Sequence, residues 1–465
     1  MADYDVIVIG AGPGGYVNAI RAAQLGKKVA IVDKQWLGGV CLNVGCIPSK
    51  ALLDSAHVVH TVRERQKEYG LSFDGLNIDY KAAFKRSRQA ADRLTKGVGF
   101  LMKKNDIDVH MGAAKFKGPK ELEVTDDDGE TRTLKAENIV IATGAKAAMI
   151  PGVEADGERV VTYYEAIMAE QPPKSAVIVG GGPIGLEFAT LWHSYGVEVT
   201  VVEMLPRLAP NEDEEVSKEV AKAFKSRGIN VLTGHRVEDI EVLKTKVKVN
   251  VSGEDEEKTI DGEQALIAIG WKPNTDQLNL EAAGVETSDK GWIQIDDSMQ
   301  TNVEGVWAIG DVTGKLPLAH VASAMGIVCA ENIAGVETVV LDYEMMPKAT
   351  FCQPQIASFG LTQEQAEERG YEVNVSRFPF QANGKAVGMG ERAGFVKLIS
   401  DSKYGEILGA HMVGPEVTEL LPELTISQMM ELTPAEIARN VHAHPTLSES
   451  LMEVAHMAEG HAIHV

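Results

Sequence analysis

Two stretches of the chain share one pattern of apolar and glycine-rich positions. The first runs Asp5-Val-Ile-Val-Ile-Gly10 and turns through Ala11-Gly12-Pro13-Gly14-Gly15. An Ala-rich stretch of helical spacing then leads to Leu25-Gly26, and Lys28-Val-Ala-Ile-Val-Asp33 closes the unit. The second opens on Ser175-Ala-Val-Ile-Val-Gly180 and turns through Gly181-Gly182-Pro183-Ile184-Gly185. A helical stretch runs through Phe188 to Tyr195-Gly196, and Val197-Glu-Val-Thr-Val-Val-Glu203 closes it. Short continuous apolar runs bounded by glycine predict buried strands, so each unit is strand, turn, helix, strand. Each ends on an acid, Asp33 or Glu203, placed 23 positions after its first glycine.

The remaining pattern is less sharp. Residues 60–110 contain long helical stretches, and 115–141 read as a β-meander with a hairpin turn at Asp126-Asp-Asp-Gly129. That meander ends at Ile139-Val-Ile-Ala-Thr143-Gly144, and Pro172-Pro173 precedes the second unit. Trp271-Lys-Pro273-Asn marks its exit. From about Pro347, strands such as 394–400 and 407–413 alternate with helices. The expected fold class is α/β, with two Rossmann-like dinucleotide-binding domains and an α+β C-terminal domain. The expected divisions are 1–147, 148–272, 273–346 and 347–465.

The turns explain why glycine is needed. The first glycine takes the tight bend, the second lets backbone approach a pyrophosphate, and the third lets helix and strand pack closely. The helix start adds N–H donors and a positive dipole end. Asp33 and Glu203 stand where a carboxylate accepts hydrogen bonds from a ribose 2′-hydroxyl. An acid there repels a 2′-phosphate, so the second site is expected to prefer NAD over NADP, although Arg207 lies near it in sequence.

Composition narrows the partners. The chain has 465 residues, 24% charged and 44% hydrophobic, with a formal charge of −22. That balance argues against nucleic acid or an anionic membrane as partner. No apolar run is long enough to span a bilayer, and the start at Met1 runs directly into a strand, so a cytoplasmic protein without targeting peptide is expected. The four cysteines are too few for a secreted disulfide framework. Cys329 and Cys352 have no metal-ligand spacing and are expected to be packing residues. The terminal His456, His461 and His464 are expected to be a solvated tail, so no metal site is expected.

Cys41 and Cys46 need their own account. They lie in Gly38-Gly39-Val40-Cys41-Leu-Asn-Val-Gly-Cys46-Ile-Pro-Ser-Lys50. In a regular helix this spacing separates the Cα atoms by roughly 8–9 Å, whereas a disulfide needs about 7 Å or less. If the two bond, the helix must be broken nearby, and Gly38, Gly39, Gly45 and Pro48 supply the freedom. Thiol chemistry near neutral pH also needs a base, because the thiolate is the reactive form.

This run resembles the redox signature of the pyridine nucleotide–disulfide oxidoreductases, and Leu42, Ile47 and Ser49 resemble its dihydrolipoamide dehydrogenase branch. The resemblance extends over essentially the whole chain. It implies FAD and NAD as cofactors and a Cys41–Cys46 disulfide as the redox centre. It implies that His444 in Val441-His442-Ala-His444-Pro445 is the base, oriented by Glu449, with His442 in support. It implies an ion pair of Lys50 and Glu187 beside the flavin. On the flavin side it adds contacts at Gly39, Val40, Ala114, Thr143, Gly144, Asp311, Leu318, Ala319 and His320. On the NAD side it adds Val237 and Gly270. The family's base acts on the neighbouring subunit, so a homodimer joined through 347–465 is implied. The partner would be a lipoylated acyltransferase core or a glycine-cleavage carrier protein.

Departures from the family pattern are Trp271, where Arg is frequent, and Val321 and Met325, where Lys and Glu are frequent near the flavin and nicotinamide. They could tune NAD inhibition or flavin potential. The alternatives within the family are glutathione and mercuric reductases. The tail from Ala458 to Val465 lacks the cysteine pair of the latter, and Glu203 disfavours the NADPH of the former. A mainly structural subunit of a multienzyme complex is the remaining alternative.

Overall fold

The computed structural model describes residues 2–254 and 256–465; Met1, named above as the chain's start, lies outside them. The fold is α/β: the first sheet is mixed, the second parallel and the C-terminal one antiparallel, with a three-stranded and a two-stranded antiparallel sheet besides. In the first sheet, β1 (Tyr4–Ile9) is central, with β2 (Val29–Asp33) and then β3 (Asp108–Met111) on one side. β4 (Ala113–Gly118) and β5 (Glu121–Thr125) form a meander with β6 (Thr131–Ile141). Strand β6 is 11 residues long and serves two partners in turn. Its first half pairs antiparallel with β5 and its second half runs parallel to β1, Val8 facing Val140. The distant strand Val306–Ala308 completes the sheet by pairing with β6. Val6, Ile7 and Val8 are fully buried, as are Ala30, Ile31, Val32 and residues 139–141. Continuous burial follows from helices and loops covering both faces of a parallel sheet.

The second sheet repeats the plan with Ser175–Val179 at its centre, flanked by Glu198–Glu203 and Gln264–Ile267, all parallel. The two glycine turns are equivalent in detail. Gly10 has φ +102° and Gly180 φ +114°, a region that favours glycine. A Cβ on Gly10 would stand 2.3 Å from the Ala142 carbonyl, and one on Gly180 2.3 Å from that of Ala268. A Cβ on Gly15 would meet the Gly10 carbonyl at 1.9 Å, and one on Gly185 that of Gly180 at the same distance. These contacts are why each turn can lay its helix directly against its strand.

Helix α1 (Pro13–Gln24) follows the first turn and packs on the helix Ala319–Ala334. The approach is close: a Cβ on Gly326 would stand 2.6 Å from the Gly14 carbonyl, and Asn18 donates to the Gly326 carbonyl at 2.9 Å. Helices α2 (Gly39–Val44) and α3 (Cys46–Glu64) carry the two cysteines, and α4 (Tyr80–Lys104) lies beside them. The C-terminal sheet has five antiparallel strands between Lys348 and Gly414, backed by the helices from Val417 to Ala458. Among the described residues no helix is long and apolar enough to cross a membrane.

Candidate functional site

Both glycine turns and both cysteines open on one continuous cavity of about 1610 Å³. The first turn contributes Gly10, Gly12 and Gly14, and the second Gly180, Gly182, Pro183 and Ile184. The helices that follow start uncapped by any side chain, so their first N–H groups are left for a ligand. A Cβ on Gly12 or Gly182 would meet no protein atom within 4 Å, so each turn has an open cradle at the cavity wall. Such a cradle fits a dinucleotide pyrophosphate. Gly15 and Gly185 lie behind the turns and do not line the cavity.

The two acids hold the turns as well as facing the cavity. Asp33 accepts from the Ala11 N–H at 2.7 Å, and Glu203 accepts from the Gly181 N–H at 2.7 Å. Arg207 does not line the cavity and donates to the Pro210 carbonyl at 3.2 Å. Val237 and Gly270 line the cavity in the second half, and Gly39, Val40, Ala114, Thr143, Gly144, Asp311, Leu318 and Ala319 in the first. Burial pushes the Asp311 carboxyl up to about 6. His320 is set apart from these, its Nε2 lying 2.7 Å from the Pro347 carbonyl outside the cavity wall.

The helix is interrupted between the two cysteines. α2 ends at Val44, Gly45 takes φ −131° and ψ −116°, and α3 begins at Cys46. Cys41 and Cys46 are both half-buried. The Cys46 thiol is pulled down, first by the hydrogen bond from Cys41 and then by the charge of Lys50. Cys41, the donor of that bond, is pushed up. Tyr16 stands beside both sulfurs, and its phenol is raised by burial and by their charge.

One turn along α3, Lys50 Nζ donates to both Glu187 oxygens at 2.9 Å. Glu187 is 9% exposed and also accepts from the Phe351 N–H at 3.0 Å. Lys50 lies 4.6 Å from the centre of the Phe351 ring. The pair therefore joins the dithiol helix, the second nucleotide helix and the C-terminal sheet at one point.

His444 and Glu449 are brought together, but away from the cavity of their own chain. His444 Nδ1 lies 2.9 Å from Glu449 Oε1, and the His444 side chain is 76% exposed. Burial would raise Glu449, but the Thr446 N–H and His444 outweigh it and hold the carboxyl below the usual range. His442 is fixed separately, with Nε2 2.9 Å from Glu423 Oε1 and Nδ1 2.8 Å from the Asn440 carbonyl.

The departures are placed as follows. Trp271 lines the cavity and meets the Tyr163 ring edge-on, 5.4 Å between centres. Val321 and Met325 do not line the cavity; both are fully buried where their helix packs. Met325 reaches the site only indirectly, its sulfur accepting from the Gly310 N–H at 3.4 Å, one residue before Asp311. Cys329 and Cys352 are buried and their thiols raised by it. Tyr16 and Phe351 escape the sequence reading, because neither sits in a motif with its partners.

Residues 4–326 match the family described as pyridine nucleotide-disulphide oxidoreductase, and residues 346–455 match its dimerisation domain. A dihydrolipoyl dehydrogenase of Mycobacterium leprae is 53% identical, with 100% of each chain covered. One from Mycobacterium tuberculosis is 51% identical, again over 100% of each chain. The crystal structure of LpdA from Mycobacterium tuberculosis superposes with a TM-score of 0.91 at 27% identity, covering 97% of this chain and 99% of that one.

Proposed function

Since this chain belongs to the pyridine nucleotide–disulphide oxidoreductases, we propose that it oxidises protein-bound dihydrolipoyl groups to the lipoyl disulfide and reduces NAD⁺ to NADH. The observation that carries the redox part is the meeting of two dinucleotide cradles and a dithiol on one cavity. The full-length identity to dihydrolipoyl dehydrogenases supports the choice of lipoyl substrate.

FAD and NAD are the cofactors. Gly10, Gly12, Gly14 and the start of α1 would hold the FAD pyrophosphate, Asp33 its ribose, and Asp311, Leu318 and Ala319 its further length. Gly180, Gly182, Pro183, Ile184 and Glu203 would serve NAD, with Val237 and Gly270 beside them. When bound, FAD supplies a carrier for the electron pair between dithiol and nicotinamide. We take the chain as FAD-binding over 1–147 and 273–346, NAD-binding over 148–272, and subunit-joining over 347–465.

The protein's own groups handle the sulfur and proton chemistry. With the Cys41–Cys46 disulfide formed, a substrate thiol loses its proton to His444 and attacks the Cys41 sulfur. The S–S bond breaks and Cys46 leaves as the thiolate, which Lys50 stabilises. The second substrate thiol then attacks the mixed disulfide, the lipoyl S–S bond forms, and Cys41 departs with a proton. Glu449 keeps the His444 ring in the orientation that frees Nε2. Because His444 stands outside its own chain's cavity, we assign it to the site of a second copy, and the protein to a homodimer. Its proposed partner is a lipoylated acyltransferase core or glycine-cleavage carrier, met in the cytoplasm.

A steady-state comparison of dihydrolipoamide and glutathione, each with NAD and NADP, tests this reading. Dihydrolipoamide with NAD should dominate; faster turnover of glutathione with NADP would replace it with a reductase.

A further inference from the structure

Asn43 stands between the two cysteines and is 8% exposed. Its Nδ2 donates to the Leu37 carbonyl at 3.0 Å and to the Gly39 carbonyl at 2.9 Å. Its Oδ1 accepts from Thr95 Oγ1 at 3.1 Å. Its main-chain carbonyl accepts from Arg88 Nη1 at 2.5 Å. α2 is six residues long, so most of its carbonyls lie beyond intrahelical partners, and Arg88 satisfies one of them. Arg88 and Thr95 are two turns apart on one face of α4, and neither lines the cavity.

The backbone between the cysteines must stay off the regular helical path if the sulfurs are to bond. α4 grips the middle of that segment from outside, Arg88 through the Asn43 main-chain carbonyl and Thr95 through its side-chain amide. We propose that Arg88 and Thr95 are positioning residues that hold Cys41 and Cys46 within bonding reach through Asn43, and so set their dithiol–disulfide equilibrium. The proposal rests on the redox reading of this cysteine pair. Holding two thiols together raises their effective concentration toward each other and favours the disulfide. Releasing the segment favours the dithiol.

The test uses the FAD-loaded protein in buffers of reduced and oxidised dithiothreitol. Oxidising the pair breaks two S–H bonds and forms one S–S bond; two electrons and two protons pass to oxidised dithiothreitol, whose S–S bond opens to the dithiol. Free thiols are trapped by alkylation and located by peptide mass. Thr95→Val with Arg88→Met should shift the equilibrium toward the dithiol about tenfold, or about 30 mV for two electrons. Thr95→Ser, which keeps the hydroxyl, should stay within about twofold of the parent. A shift under about threefold in the double variant overturns the proposal. If the double variant loses FAD, Thr95→Val alone decides, and a value equal to that of Thr95→Ser overturns it. A parent protein that forms no Cys41–Cys46 disulfide under any buffer overturns the redox reading instead.

Discussion

Lys50 and Glu187, 137 positions apart, meet through two hydrogen bonds of 2.9 Å and fasten the dithiol helix to the helix that opens the second nucleotide turn. The charge of Lys50 also pulls the Cys46 thiol down. Removing that cation as Lys50→Met should therefore raise the pH at which the reduced protein is alkylated at Cys46. Labelling near neutral pH should fall about tenfold, since one opposite charge typically moves a neighbour by about one pKa unit or more. An unchanged pH profile of iodoacetamide labelling would detach Lys50 from the sulfur chemistry.

Cys41→Ser and Cys46→Ser should each abolish dihydrolipoamide turnover while the protein still binds FAD. A near-parental rate in either variant, with flavin content measured by absorbance, would defeat the proposed sulfur steps.

His444→Gln should slow dihydrolipoamide oxidation by about 10²–10⁴-fold, the usual loss with a positioned base. The placement of His444 away from its own cavity gives a sharper check. When the inactive His444→Gln and Cys46→Ser proteins are dissociated and reassociated together, mixed dimers should regain one working site. A mixture as inactive as its components would mean that each chain uses its own histidine.

Asp311 gives a pH dependence with a definite sign. Its folded carboxyl is pushed up by burial to about 6 from 3.8, so between those values the folded chain holds a proton that the unfolded chain has released. Stability from this group is present below the unfolded value and is lost as pH rises through the folded one. In the FAD-free protein, Asp311→Asn should raise stability at neutral pH by about 1–3 kcal/mol and leave it unchanged near pH 3. Denaturant melts at the two pH values would show this; equal effects at both would assign the change to packing.

Glu203 has two duties that one variant can separate. Glu203→Ala leaves the Gly181 and Leu205 N–H groups without their acceptor, at a cost of about 1–3 kcal/mol for a buried donor left unpaired. The preference for NAD over NADP in kcat/KM should fall at least about tenfold. Retained preference would place the discrimination at another residue.

The parts of this site visible in the sequence are those whose physics is local. Gly10 and Gly15 are legible because backbone sterics demand glycine there, Gly12 because a pyrophosphate must approach the backbone, and Asp33 because strand length sets its distance from the turn. The spacing of Cys41 and Cys46 says that the helix must break if they bond, and α2 stops at Val44 with α3 starting at Cys46. His444 and Glu449 share one loop and one helix start, so their meeting at 2.9 Å also follows from short spacing. What stayed hidden depends on chain brought from afar. Phe351 supplies an N–H to Glu187 from 164 positions away, and Arg88 reaches Asn43 from another helix. No periodicity encodes either contact. Val321 and Met325 depart from the family pattern in a stretch that the resemblance places near the flavin and nicotinamide, and their side chains are buried in the core, off the cavity wall.

Gly39 begins the short redox helix almost on top of the first phosphate turn, where a Cβ would stand 2.6 Å from the Gly12 Cα, and Gly38 donates to the Ala11 carbonyl at 2.8 Å. In the proposed mechanism, sulfur chemistry and flavin retention therefore share a mechanical joint. Mutational drift that loosens the grip on FAD will also detune the thiols, so the two traits should decay together in any lineage that abandons either one.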